Sequence, residues 1–152
     1  MGPGESLPDS TEGITRVEDL PHPLLRRRSR NYRRRPCPRC HHCCFRHGKG
    51  RRYLHDLGCL LRDRPRRLLV VYSQHYCTRC KAYFNADMAD LAAPGSHYTR
   101  QVVCLAVRRV VEDGLPYRLA SWHLWRDHRV FVPYATIRNW VEAAGGKSPR
   151  RQ

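Results

Sequence analysis

Two cysteine pairs constrain this chain more than any other feature. Cys37-Pro-Arg-Cys40 and Cys77-Thr-Arg-Cys80 are separated by 36 residues. Two residues between cysteines let both thiolates approach one ion, while amides of the turn donate hydrogen bonds to sulfur. Two such knuckles complete a tetrahedral four-sulfur site, the closed geometry of structural zinc. The interval leaves room for hairpins, and the segment has too small a core to hold itself together without a staple. The spacing therefore predicts one structural Zn²⁺ held by Cys37, Cys40, Cys77 and Cys80 in a zinc ribbon of short antiparallel strands. Redox-active pairs and unligated core cysteines are the competing readings, and two matched knuckles weigh against both.

The surplus ligands leave alternatives open. His41, His42, Cys43, Cys44 and His47 follow the first knuckle, and Cys43 or His47 could replace a knuckle ligand. A second ion would need more ligands than Cys59 and His55 supply nearby. Cys104 reads as a core residue of a helix. Catalytic zinc is disfavoured: four thiolates leave no position for water, no carboxylate base lies near the knuckles, and the His-x-Glu of zinc deaminases is missing.

Charge sets the expected partner. In 152 residues, 29 Lys+Arg against 13 Asp+Glu give a formal charge of +16. Lysine contributes only Lys49, Lys81 and Lys147, so the basic surface is almost wholly arginine, whose planar fork suits phosphate and guanine edges. Such a balance says nothing about fold but predicts attraction to polyanions. No stretch approaches the roughly 18 consecutive apolar residues of a membrane span. The first 20 residues carry Glu5, Asp9, Glu12, Glu18 and Asp19 without an apolar run, so no secretory signal is expected. A reducing cytoplasm, no membrane partner and metal-bound rather than disulfide-bonded cysteines are the consistent expectations.

Along the chain, residues 1–25 read as a disordered tail and residues 26–35 as an arginine-rich arm. Seven of the ten residues Arg26 to Arg35 are arginine, and like charges this dense are expected not to fold alone. Arg33, Arg34 and Arg35 are its candidate phosphate contacts, against the plain alternative of a solvated linker. Residues 36–90 form the ribbon, with the clearest strand at Arg67 to Tyr76. Beyond Pro94-Gly95 the period turns helical. Ser96 is placed to cap a helix from His97 whose stripe is Val103, Val107 and Val110, and Gly114 ends it. A second helix, Pro116 to about Asp127, presents Leu119, Ala120 and Trp122 to the core. His128 to Pro133 links it to a third helix, Tyr134 to Ala144, with Ile137, Trp140 and Val141 inward and Gly145-Gly146 at its end. Val130, Phe131 and Val132 of the link, with Trp125, are expected in the core.

Two short helices joined by a tight link behind a longer one describe a helix-turn-helix over residues 96–145, followed by a disordered tail, 146–152. The third helix then leaves Tyr134, Thr136, Arg138 and Asn139 outward. Arg reads guanine, Asn reads adenine, and Thr or Tyr reaches phosphate or a thymine methyl. A three-helix bundle with a polar face and no DNA has the same periodicity; charge and the adjacent ribbon favour double-stranded DNA. The fold class is small α+β: a zinc ribbon followed by a three-helix domain.

The order Cys-Pro-Arg-Cys, a basic stretch with His55-Asp56-Leu57, a strand ending Tyr-Cys-Thr-Arg-Cys, Phe84, then a helix-turn-helix resembles the N-terminal region of insertion-sequence transposases, over roughly residues 36–144. The resemblance implies recognition of terminal inverted repeats, a bacterial nucleoid-associated setting, and a transposase subunit or homo-oligomer as partner. It also implies a C-terminal acidic-triad nuclease, for which this chain offers no carboxylates: no acid follows Glu142. Asp87, Asp90, Glu112, Asp113 and Asp127 are scattered. The expectation is a DNA-recognition protein without catalysis of its own, as a truncated element, a split frame or a derived transcription regulator. An RNA-binding zinc ribbon is the alternative; the helix-turn-helix does not fit it.

Overall fold

A computed structural model describes residues 22–146. It is a mixed α+β protein with the order β1 (Leu24–Arg30), β2 (Arg34–Pro36), β3 (Cys43–Cys59), β4 (Arg64–Cys77), β5 (Ala82–Asn85), α1 (Arg100–Val111), α2 (Tyr117–His128) and α3 (Tyr134–Gly146). The chain divides into two compact units. One holds residues 25–56 and 67–102; the described part of the other is residues 22–24, 57–66 and 103–146. The boundary expected between ribbon and helices thus differs in two respects: the hairpin end, 57–66, groups with the helices, and residues 96–102, expected in the helical domain, group with the sheet.

The sheet has the order β1-β4-β3-β2, with β5 also paired to β4. A strand has two edges, and β3 occupies one edge of β4, so β1 and β5 share the other along different stretches. Antiparallel β2–β3 pairs Arg34 with Phe45 and Pro36 with Cys43. Antiparallel β4–β5 pairs Tyr76 with Tyr83 and Cys77 with Ala82. Leu68 and Val70 of β4, from the apolar run legible in the sequence, pack with Leu54 of β3 and Ala92, flanked by Met88 and Leu91. Gly50 permits this sheet's tightest approach. A Cβ there would lie 2.4 Å from Cζ of Tyr72, whose ring covers the bare backbone.

The arginine-rich segment is not a free arm. Leu24–Arg30 is strand β1 and Arg34–Pro36 is strand β2. Backbone pairing to β4 and β3 absorbs the chain while Arg26, Arg27 and Arg28 stay exposed, so their repulsion is relieved by solvent rather than by disorder. Arg30 is held by Asp90 at 2.7 Å. Residues 1–21 of the expected N-terminal tail, and 147–152 of the C-terminal one, lie outside the described residues.

Helix α1 starts at Arg100 rather than His97. His97 to Thr99 are drawn into extended pairing with β3 instead. The His55 amide donates to the His97 carbonyl at 2.8 Å and the Thr99 amide to the His55 carbonyl at 3.0 Å. Thr99 Oγ1 donates to Asp56 at 2.9 Å. The Ser96 hydroxyl serves a local turn around Tyr98, so it does not cap the helix.

In the helical unit α2 packs on α3. Ala106, Ala120, Leu124, Trp125, Val130, Val132 and Ile137 are buried. The two valines of the link plug the core as expected, with Phe131 half-buried between them. Helix α2 ends at Arg129, a left-handed residue with φ 48°. Its amide returns to the Trp125 carbonyl at 3.0 Å, and its guanidinium pairs with Asp63 at 2.6 Å and lies over the Trp125 ring. Three expected core residues are instead exposed: Leu119, Trp122 and Cys104. Burial in α2 follows Ala120, Leu124 and Trp125, a stripe rotated by about one residue, about 100°, from the one expected. Trp140 and Val141 are half-buried, and α3 runs through both glycines expected to stop it.

Candidate metal centre

Each cysteine pair sits on the turn of a hairpin: Cys37–Cys40 between β2 and β3, Cys77–Cys80 between β4 and β5. Both turns are built alike. The Cys37 amide reaches the His42 carbonyl at 2.8 Å, and the residue after each second cysteine takes a left-handed conformation, His41 at φ 62° and Lys81 at φ 53°. That conformation folds the chain back while aiming amides at sulfur. Arg39 N–H donates to Cys37 Sγ at 3.4 Å and Cys80 N–H to Cys77 Sγ at 3.3 Å.

The two turns bring all four sulfurs within 4.8 Å of one another. Cys37 and Cys80 Sγ are 3.8 Å apart, Cys40 and Cys77 Sγ 3.5 Å. A disulfide would require about 2.0 Å. A metal with sulfur at about 2.3 Å in a tetrahedron has edges of about 3.8 Å, so the cage fits a metal ion and no sulfur–sulfur bond. Among the described residues this is the one group of three or more His, Cys, Asp or Glu so gathered. Cys43 and His47 are exposed and do not replace a knuckle ligand, and Cys59 belongs to the other unit.

The thiols of the cage are shifted in opposite directions. The Cys80 amide draws the Cys77 thiol down to about 6, and amides of Cys40 and Arg39 lower Cys37. Cys80 moves the other way, up to about 12, because its sulfur faces those of Cys40 and Cys37. Four thiolates at this separation repel one another, and a cation bound between them would let all four ionise together.

Behind the cage is a polar layer that the sequence reading missed. Cys44 is buried against Cys37 and Cys77. Its Sγ donates to the His42 carbonyl at 3.1 Å, and burial together with the Cys77 sulfur pushes its thiol up to about 11, so it stays protonated. His75 is fully buried, stacked on Phe84 with ring centres 5.3 Å apart. Its Nδ1 lies 3.1 Å from the Cys44 carbonyl and its Nε2 2.7 Å from Ser73 Oγ. A carbonyl can only accept, so Nδ1 donates to it, and Nε2 shares a hydrogen bond with the Ser73 hydroxyl, which also donates to the Arg30 carbonyl at 3.3 Å. Ser73 Oγ in turn accepts the Tyr32 amide at 3.0 Å. His75 therefore ties β3 to β4 beneath the cage. The alternation Ser73, His75, Cys77 was the available signal: period two places all three on one face.

The remaining candidate residues fall in two places. Arg33 and Arg34 are exposed, with the Arg34 guanidinium over the Phe45 ring; Arg35 is half-buried over Tyr32 at 4.3 Å. On α3, Tyr134, Arg138 and Asn139 are exposed and Thr136 is half-buried. The Arg118 guanidinium of α2 sits 4.0 Å from the Tyr134 ring centre. The structure thus unites the four cysteines and leaves the two arginine and helix sets in different units.

No family model, curated protein or solved structure matches the chain. Fold and site define its class: a small α+β protein with a four-cysteine cage able to hold a metal ion. Among the described residues no helix is long and apolar enough to cross a membrane.

Proposed function

We propose that this protein binds double-stranded DNA sequence-specifically, with one structural Zn²⁺ in the cage, as the DNA-recognition part of a transposase-like protein. The observation that carries the reading is where the charge stands. Residues 25–55 and 67–86 hold 15 Arg and Lys and no Asp or Glu. A surface so dominated by positive charge attracts a polyanion, and arginine gives it forks for phosphate.

In this reading α2 and α3 form the helix-turn-helix and α3 enters the major groove. Arg138 reads guanine and Asn139 adenine, while Tyr134, braced by Arg118, and Thr136 meet the backbone. Cys37, Cys40, Cys77 and Cys80 would hold the zinc ion with all four positions taken by thiolate, so it would join the two hairpins and activate no water. The chain itself recognises DNA and performs no strand chemistry.

Metal analysis of the purified chain tests the first half. One zinc per chain is expected, lost in Cys77→Ser together with cooperative unfolding; zinc retained by Cys77→Ser would refute the cage. Selection from random duplexes tests the second. Arg138→Ala is expected to lower discrimination at one base pair by about 1–3 kcal/mol while leaving non-specific affinity near its original value. Full preference in Arg138→Ala, or stronger binding to RNA than to any duplex, would remove α3 as the reader.

A further inference from the structure

The sheet face opposite the buried side of the cage carries rings that the folded chain leaves in solvent. Cys44 and Cys77 share the buried side, so their neighbours Phe45 and Tyr76 project from the other. Tyr83, paired with Tyr76 across β4–β5, has its ring centre 4.7 Å from that of Tyr76. His47, two residues beyond Phe45 on β3, lies 5.2 Å from Tyr83. Phe45 is 62% exposed and Tyr83 66% exposed. Rings this open contribute little to the core; with exposed His47 and half-buried Tyr76 they form a platform on a unit with no acid in residues 25–55 or 67–86. The Arg34 guanidinium lies over the Phe45 ring, 5.6 Å from its centre, and adds a cation to the platform.

We propose that this face binds unpaired, single-stranded DNA, its bases stacking on Phe45 and Tyr83 and its phosphates meeting Arg34 and neighbouring basic side chains. Charge selects a polyanion, and exposed rings select one whose bases are free. A duplex keeps its base faces within its own stack and could use the arginines but not the rings. An acidic peptide could use the arginines too but gives the rings no flat partner. The proposal rests on the DNA reading above, and it assigns to the sheet a different form of the same ligand from the one assigned to α3.

The test uses the full chain with three labelled probes: a 20-nucleotide oligo(dT), a 20-base-pair duplex and a 20-nucleotide oligo(U). The double variant Phe45→Ala/Tyr83→Ala removes two exposed rings without opening the core. It is expected to weaken oligo(dT) binding about thirtyfold or more, since each stacked base contributes at least about fivefold and two rings are removed. Duplex affinity is expected to change less than about twofold. Phe45→Trp is expected to keep oligo(dT) affinity and to show indole quenching on binding. Unchanged oligo(dT) affinity in the double variant would overturn the proposal, as would an equal loss for duplex, which would mark a general charge effect. Ring-dependent binding tighter for oligo(U) than for oligo(dT) would assign the face to RNA and overturn the DNA reading of it. Failure of duplex selection with the ring-dependent oligo(dT) loss intact would instead refute the α3 reading and leave this one standing.

Discussion

His55 illustrates how a single side chain in this sheet couples stability to pH. Burial, then the nearby charge of Arg67 and of His97, holds its pKa below the ordinary histidine value. Its ring rests against Tyr98, 5.2 Å between centres, and the chain on either side is pinned by the bonds to His97 and Thr99. A depressed folded pKa means the unfolded chain binds the proton first as pH falls. Stability is therefore full above about 6.5 and declines below it, until the folded pKa is reached and the loss levels off. His55→Gln is expected to flatten the dependence of the urea midpoint between pH 5 and 7.5. A variant that loses stability towards low pH as steeply as the parent would assign the effect to other groups.

At the level of elements, the hairpin turns show what local sequence could and could not reveal. The knuckles were legible because thiol spacing is a chemical requirement, and the β4 strand because an unbroken apolar run needs burial. What spacing does not reveal is that His41 and Lys81 stand where the turn demands positive φ. A side chain there costs about 1–2 kcal/mol, part of which glycine returns through its looser unfolded state. Lys81→Gly is expected to stabilise the chain by about 0.5–1 kcal/mol with metal stoichiometry unchanged, measured by urea unfolding. Strand β1 was illegible for a different reason. Its pairing comes from the open edge of β4, 34 or more residues later in sequence, and charge density argues about solvation rather than backbone partners. The helices were found by period, yet their ends moved: pairing with β3 delayed α1, and the buried stripe of α2 shifted off Leu119 and Trp122. The aromatic platform was missed because His47 and Tyr83 lie 36 positions apart and meet only through pairing of β3 and β5 with β4.

For the whole molecule, a charge of +16 predicts that, under the proposed DNA reading, ionic strength is the main control on association. If about six phosphates are neutralised, the logarithmic slope of duplex affinity against salt is about −5, and affinity falls about a thousandfold between 50 and 200 mM. Titration at four salt concentrations measures the slope, and a value near −1 would assign binding to something other than the arginine surface. The same charge has a second consequence at β1, a seven-residue strand paired to β4 with Leu25 to Ser29 exposed. A strand at the margin of a sheet offers its unpaired backbone to any other strand, and here repulsion among arginines keeps copies apart. A bound polyanion that cancels those arginines also removes their guard. Colloidal stability should thus be lowest near the charge-neutral mixing ratio, where light scattering peaks, and recover as either component is taken to excess.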